Sequence, residues 1–182
     1  MAWVHTFVPV AWLVFWAYWL ISALGAKHGS RRRPRFPGAL SLLVVIYVLA
    51  RTHTIRFGST AVHDSGLQLA GAAMLAAGLG LAVWARLALG RNWGMPQSLK
   101  DEPELVTSGP YRWVRHPIYS GLLLALLGTA LATNLLLLLV VLLAGVYFIH
   151  SARVEERLMT AAFPSVYPRY MRATKMLVPF VL

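Results

Sequence analysis

Two stretches gather the side chains able to do chemistry. The first runs Leu105-Val106-Thr107-Ser108-Gly109-Pro110-Tyr111-Arg112-Trp113-Val114-Arg115-His116-Pro117-Ile118-Tyr119-Ser120-Gly121. Its Gly109-Pro110 pair makes a turn. Pro117 suits the first turn of a helix, where its missing N–H costs nothing. A helix start offers free N–H groups and the positive end of the dipole, and Arg115 and His116 stand immediately before it. That grouping can hold a ligand carboxylate or a lipid headgroup. A plain interfacial Arg-His pair against phospholipid fits the spacing equally well. The second stretch is Arg153-Val154-Glu155-Glu156-Arg157, followed by Phe163-Pro164-Ser165-Val166-Tyr167-Pro168-Arg169-Tyr170. An acidic pair directly after an apolar run favours a cationic partner. A cationic ligand would serve, and so would Arg153, Arg157 or Arg115; periodicity does not choose between them.

The elements that position these groups must sit in lipid. Hydrophobic residues make up 58% of the 182 residues and charged residues 13%, with a mean hydropathy of +0.62. A soluble domain carries roughly 25% charge, so this chain cannot cover itself with a polar surface. The net charge of +11 then reads as membrane orientation and contact with anionic lipid rather than nucleic-acid binding. Cysteine is absent, which excludes disulfides and thiolate metal sites. His5, His28, His53, His63, His116 and His150 form no i, i+4 pair and have no carboxylate spacing that suits a metal, so no metal is expected.

Apolar runs fall at about 8–24, 38–50, 67–89, 117–133 and 134–150. A span needs roughly 20 apolar residues, so the expected fold is all-α, a bundle of about five transmembrane helices. The first run has neither a basic n-region nor an A-x-A site and is expected to be a retained helix. The last two runs should form a tight helical hairpin. Residues 1–66 are expected to supply two helices and a basic loop, and residues 67–182 the remaining helices and a functional core, all within one structural domain. Of the 17 basic residues only Arg51 and Arg56 fall on one side of this layout. The positive-inside rule therefore places the N-terminus outside and the C-terminus in the cytosol. Small residues at Ala72, Ala76 and Gly80, and at Gly121, Ala125, Thr129 and Thr133, form stripes suited to close helix packing. Trp12, Trp16 and Trp19 form an aromatic stripe expected to face lipid or the interface. The polar loop 90–117 holds Asn92, Gln97, Lys100, Asp101, Glu102 and Glu104. A loop of that length in so small a chain is functional or disordered, and Tyr111, Trp113 and Tyr119 argue against disorder.

Together the two stretches resemble the isoprenylcysteine carboxyl methyltransferase family and the related phospholipid N-methyltransferases. The matching pattern is Leu105-Val106-Thr107-x-Gly109-Pro110-Tyr111-x-x-x-Arg115-His116-Pro117-x-Tyr119-x-Gly121, then Glu155-Glu156, then Phe163-x-x-x-Tyr167-x-x-Tyr170, then Pro179. Leu89-Gly90-Arg91-Asn92-Trp93 is similar to the family's Leu-Gly-x-Asn-aromatic segment. The resemblance covers about residues 86–182. It implies a membrane enzyme that binds S-adenosylmethionine, releases S-adenosylhomocysteine, and methylates a lipophilic or lipidated acceptor. Isoprenylcysteine-type carboxyl O-methylation is the first expectation. A phospholipid amine is the second, and a small lipophilic thiol or metabolite the third. By position, Gln97, Leu105, Val106, Tyr111, His116, Pro117, Ile118, Tyr119 and Glu155 are the implied cofactor contacts. Arg115, His116, Arg153 and Glu155 are the implied catalytic set, with Arg115 and Arg153 holding an anionic acceptor. Two departures stand out. The family commonly has an Arg one helical turn before the first Glu, and here that residue is Ser151. Phe163-Pro164 stands where the family has Phe-Gly. Expected partners are membrane lipids and no nucleic acid, with a monomer favoured. A transporter would need charges inside its runs, and none is expected here. A purely structural membrane protein gives no reason for the polar residues from Asn92 to His116.

Overall fold

The computed structural model describes residues 3–23, 60–90 and 104–178. The second apolar run, the basic stretch 25–37, Gln97 and Pro179 lie outside the described residues. What is described is helical: α1 (Val4–Ala23), α2 (Ser65–Leu89), α3 (Pro117–Thr133), α4 (Leu138–Ala162) and α5 (Tyr167–Ala173), with short 3-10 turns at Gly109–Arg112 and Leu135–Leu137. Among the described residues three helices are long and apolar enough to cross a membrane, and α3 is a shorter apolar helix. The chain is an all-α membrane helix bundle.

Local chemistry sets the helix ends. The Asp64 carboxylate accepts a hydrogen bond from Leu67 N at 2.7 Å and caps α2. Gly90, at φ 52°, turns the chain out of the helix at its other end. Pro117 starts α3, and Asn134 follows its last residue. The Asn134 side chain accepts from Leu136 N at 2.9 Å and from Thr60 Oγ1 at 2.8 Å. Val62 N donates to Thr133 O at 3.0 Å, so segment 60–64 is clipped onto the turn between α3 and α4. The fifth apolar run ends near His150, but its helix does not. α4 continues to Ala162, because no helix breaker intervenes before Pro164. Glu155 and Glu156 therefore sit on the helix itself, past its apolar part.

The central contact is α2 against α3. A Cβ on Gly78 would lie 2.4 Å from Ala125 N, and one on Gly128 would lie 2.3 Å from Leu75 N. The two backbones touch there, as small residues permit in membrane bundles. Gly121 and Ala125 belong to this seam, as their spacing suggests. On α2 the seam runs through Gly71, Leu75, Gly78 and Ala82, whereas of the stripe Ala72, Ala76 and Gly80 only Ala72 is buried. A Cβ on Gly80 would meet nothing within 4 Å. A pure i, i+4 series drifts about 40° per step around a helix, whereas alternating steps of three and four stay on one face.

Helix α1 packs over the seam through Val4, Val8 and Phe15. Trp12 turns inward and donates to Thr129 Oγ1 at 3.0 Å, while Trp16 stays exposed. The aromatic stripe is therefore split between packing and surface. The third run also carries a charge. Arg86, in the last turn of α2, is buried and donates to Ser22 O and Gly90 O, each at 2.6 Å. Its bonds go to carbonyls at the ends of α1 and α2, so it bolts two helices together.

Candidate functional site

The first residues of α3 and the polar end of α4 meet in one cluster. The pyrrolidine of Pro117 begins α3 and leaves His116 as the residue before it. Tyr119 follows on the first turn. On α4, Phe148, Ala152 and Glu155 share a face, because steps of four and three bring side chains into line. Tyr119 is stacked between two rings: His116 at 5.6 Å and 9°, and Phe148 at 4.6 Å and 13°. Its hydroxyl donates to Glu155 Oε1.

The C-terminal segment closes the cluster from the other side. Arg115 N donates to Lys175 O at 2.8 Å, and His116 N to Met176 O at 3.1 Å. Val114 and Lys175 form a parallel bridge. Ser120 Oγ reaches Leu177 O at 2.5 Å. Tyr170 on α5 donates to the Tyr111 carbonyl at 2.5 Å. Backbone groups that would otherwise be buried without partners are thus used to tie residues 174–177 along residues 113–116.

The charges alternate through the cluster. Arg115 Nε lies 2.6 Å from Glu156 Oε1, with both side chains buried. Arg115 also donates to Met171 O at 3.2 Å and to Thr174 O. The His116 ring sits between the two carboxylates, with Nδ1 3.5 Å from Glu155 Oε2 and Nε2 3.4 Å from Glu156 Oε1. Burial alone would lower the His116 pKa; the two carboxylates outweigh it and hold the imidazole above its ordinary value. The ring is thereby favoured as a cation bridging two anions. Burial, with the nearby Tyr170 and Glu155, pushes the Tyr111 hydroxyl well up, so it stays a neutral group. Burial raises Tyr170 to about 12.

The expected site residues divide clearly. His116, Tyr119 and Glu155 come together, and Arg115 joins them through Glu156. Pro117 is buried, and Ile118 packs beside Tyr119 and Ala152. Tyr111 is buried, while Leu105 and Val106 are half-buried in the extended segment before the 3-10 turn. Arg153 is exposed and does not join the cluster: it lies about 200° around the helix from Glu155 at about 100° per residue. Gln97 lies outside the described residues. Three further residues contribute to the cluster. Phe148 was signalled by its i, i+7 spacing to Glu155. The partners Thr174 and Met176, joined through backbone atoms, left no side-chain pattern to read.

A model of the phospholipid methyltransferase family matches residues 67–165, from the start of α2 to just beyond α4. The chain is also 36% identical over 94 residues to the cobalt-zinc-cadmium resistance protein CzcN of Cupriavidus metallidurans. That alignment covers 50% of this chain and 43% of the relative, so the chain spans less than half of the relative's length.

Proposed function

The chain belongs to the phospholipid methyltransferase family, and on that footing we propose that it is an integral membrane methyltransferase using S-adenosylmethionine and releasing S-adenosylhomocysteine. The observation that carries the reading is the Glu155 carboxylate. It is 24% exposed, fixed by Tyr119 and His116, and set beside the parallel rings of His116, Tyr119 and Phe148. A half-open carboxylate against aromatic surface fits a ligand carrying an ammonium and a sulfonium. When bound, S-adenosylmethionine supplies a methyl group on a positively charged sulfur, already activated for in-line displacement. The protein's part is then alignment and exclusion of water. Glu155 balances the ligand's positive charge. Tyr119 holds Glu155, and His116 spans both carboxylates. Tyr111, Pro117, Ile118, Leu105 and Val106 supply the wall, with Gln97 joining them on the strength of the family pattern.

The acceptor reading turns on the arginines. Arg115 is engaged by Glu156 and two carbonyls. Ser151, at the position before Glu155 where the family has Arg, is fully buried and uncharged. Arg153 faces away. None of these three positions leaves an arginine side chain to hold an acceptor carboxylate beside Glu155. We therefore favour a lipophilic amine, such as an amino-phospholipid, over isoprenylcysteine-type carboxyl O-methylation. Glu155 is the group placed to take the proton that the nitrogen loses. The basic-residue distribution puts this cluster in the cytosol and the N-terminus outside; in this cysteine-free chain, labelling of cysteines introduced at Gly29 and Thr174 tests that orientation. For the reaction, the purified protein is incubated with methyl-labelled S-adenosylmethionine and a membrane lipid extract. Base-stable label in an amino-lipid is the expected result. Base-labile methyl ester would overturn the amine reading, and absence of both label and cofactor binding would overturn the enzyme.

A further inference from the structure

The outer face of α4 carries a feature that the methyltransferase reading does not use. Leu139, Leu142, Val146, His150, Arg153 and Arg157 are all exposed. Their steps of three, four, four, three and four keep them within an arc of about 80° on a helix of about 100° per residue. The stripe is apolar at one end and cationic at the other. Its position along the helix matters: the arginines come directly after the apolar run that ends near His150, which is the depth of lipid phosphates in a bilayer. The end of the stripe opens into a groove of about 550 Å³ lined by Arg153, Glu156, Arg157, Thr160, Ala161 and Met171. The acid in that wall, Glu156, is already neutralised by Arg115 and His116. Among the described residues no carboxylate pairs with Arg153 or Arg157. Glu155 points to the opposite side of the helix, so the stripe is separate from the cofactor cluster.

We propose that the outer face of α4 is a docking surface for one anionic phospholipid, with its phosphate held by Arg153 and Arg157 and an acyl chain lying on Leu139, Leu142 and Val146. Arginine suits the task because its planar fork meets phosphate oxygens in pairs. Apolar contact alone would not distinguish one phospholipid from another; the arginines supply selectivity for negative charge.

The test uses the full chain in nonionic detergent, with lipid binding counted by native mass spectrometry. Phosphatidylglycerol and phosphatidylcholine are the probes. Wild type binds phosphatidylglycerol at least tenfold more tightly. Each arginine near a charged lipid surface contributes about a fivefold factor, so Arg153→Gln with Arg157→Gln loses about 25-fold for phosphatidylglycerol and clearly less for phosphatidylcholine, whose phosphate charge is offset by its choline. Arg153→Lys with Arg157→Lys keeps most of the preference. Gel filtration confirms that each variant is folded before it is scored. Equal binding of the two lipids by wild type, or an unchanged phosphatidylglycerol affinity in the double Gln variant, overturns the proposal.

Discussion

Helix α3 is held at two places by opposite means. Along its length it meets α2 through glycine and alanine, where backbone touches backbone and no side-chain charge takes part. At its N-terminal end it meets α4 and the C-terminal segment through Arg115, His116, Tyr119 and two glutamates. The seam is specified by what is missing, a Cβ. The cluster is specified by which atoms carry charge. The comparison teaches that the two regions should fail differently: the seam to added volume, the cluster to changes of charge at constant volume.

The largest effect should come from volume in the seam. Gly128→Leu places a side chain where even a Cβ would lie 2.3 Å from backbone. The cost should exceed the ~1–3 kcal/mol typical of overpacking, because backbone cannot step aside as a side chain can. Loss of monodisperse protein in detergent gel filtration is the expected outcome. A well-folded Gly128→Leu protein would mean that the α2–α3 contact is looser than described.

Charge in the cluster comes next. Arg115→Ala strands Glu156 without its closest cation and should destabilise the protein by about 3–5 kcal/mol, the usual consequence of halving a buried pair. Arg115→Lys restores the charge without the planar fork and should recover only part of the loss. Thermal unfolding in detergent ranks the three proteins.

The pH dependence has a definite sign. The folded-state pKa of His116 is raised, so its stabilising contribution is fully present below about 6.5, the ordinary imidazole value. It is lost as pH climbs through the raised value. Wild type should therefore lose stability on going upward from about pH 6.5, and His116→Gln should lack that component. Parallel pH profiles for the two would show that the ring does not bridge the carboxylates as a cation. The smallest effect is expected at Gly80→Ala, where the added methyl meets nothing within 4 Å; the variant should melt no lower than wild type.

Much of this arrangement was legible in the residues. The limits of α3 follow from Pro117, suited to a helix start, and from the close of its apolar run at Thr133. Gly121 and Ala125 were readable as seam residues. The register on α2 was not, because an Ala- and Gly-rich apolar helix offers several small-residue stripes, and only the partner selects one. Arg86 stands so close to the end of its run that sequence alone does not separate it from the polar loop that follows. The pairing of Arg115 with Glu156 was one of several possible partnerships, and a separation of 41 residues leaves periodicity silent about it. Arg153 shows the converse: its type and nearness to Glu155 suggested a shared site, whereas helix geometry turns it outward.

The central claim is that Glu155 is the ligand-facing carboxylate and Glu156 the structural one. Isothermal titration of S-adenosylhomocysteine into Glu155→Gln and Glu156→Gln tests it most directly. A charge-assisted hydrogen bond is worth roughly 1.5–3 kcal/mol, so Glu155→Gln should bind about tenfold to hundredfold more weakly, with a smaller loss of melting temperature than Glu156→Gln. Glu156→Gln should melt lower, because Arg115 loses its partner, while its folded fraction keeps most of its affinity. Wild-type affinity in Glu155→Gln would contradict the assignment.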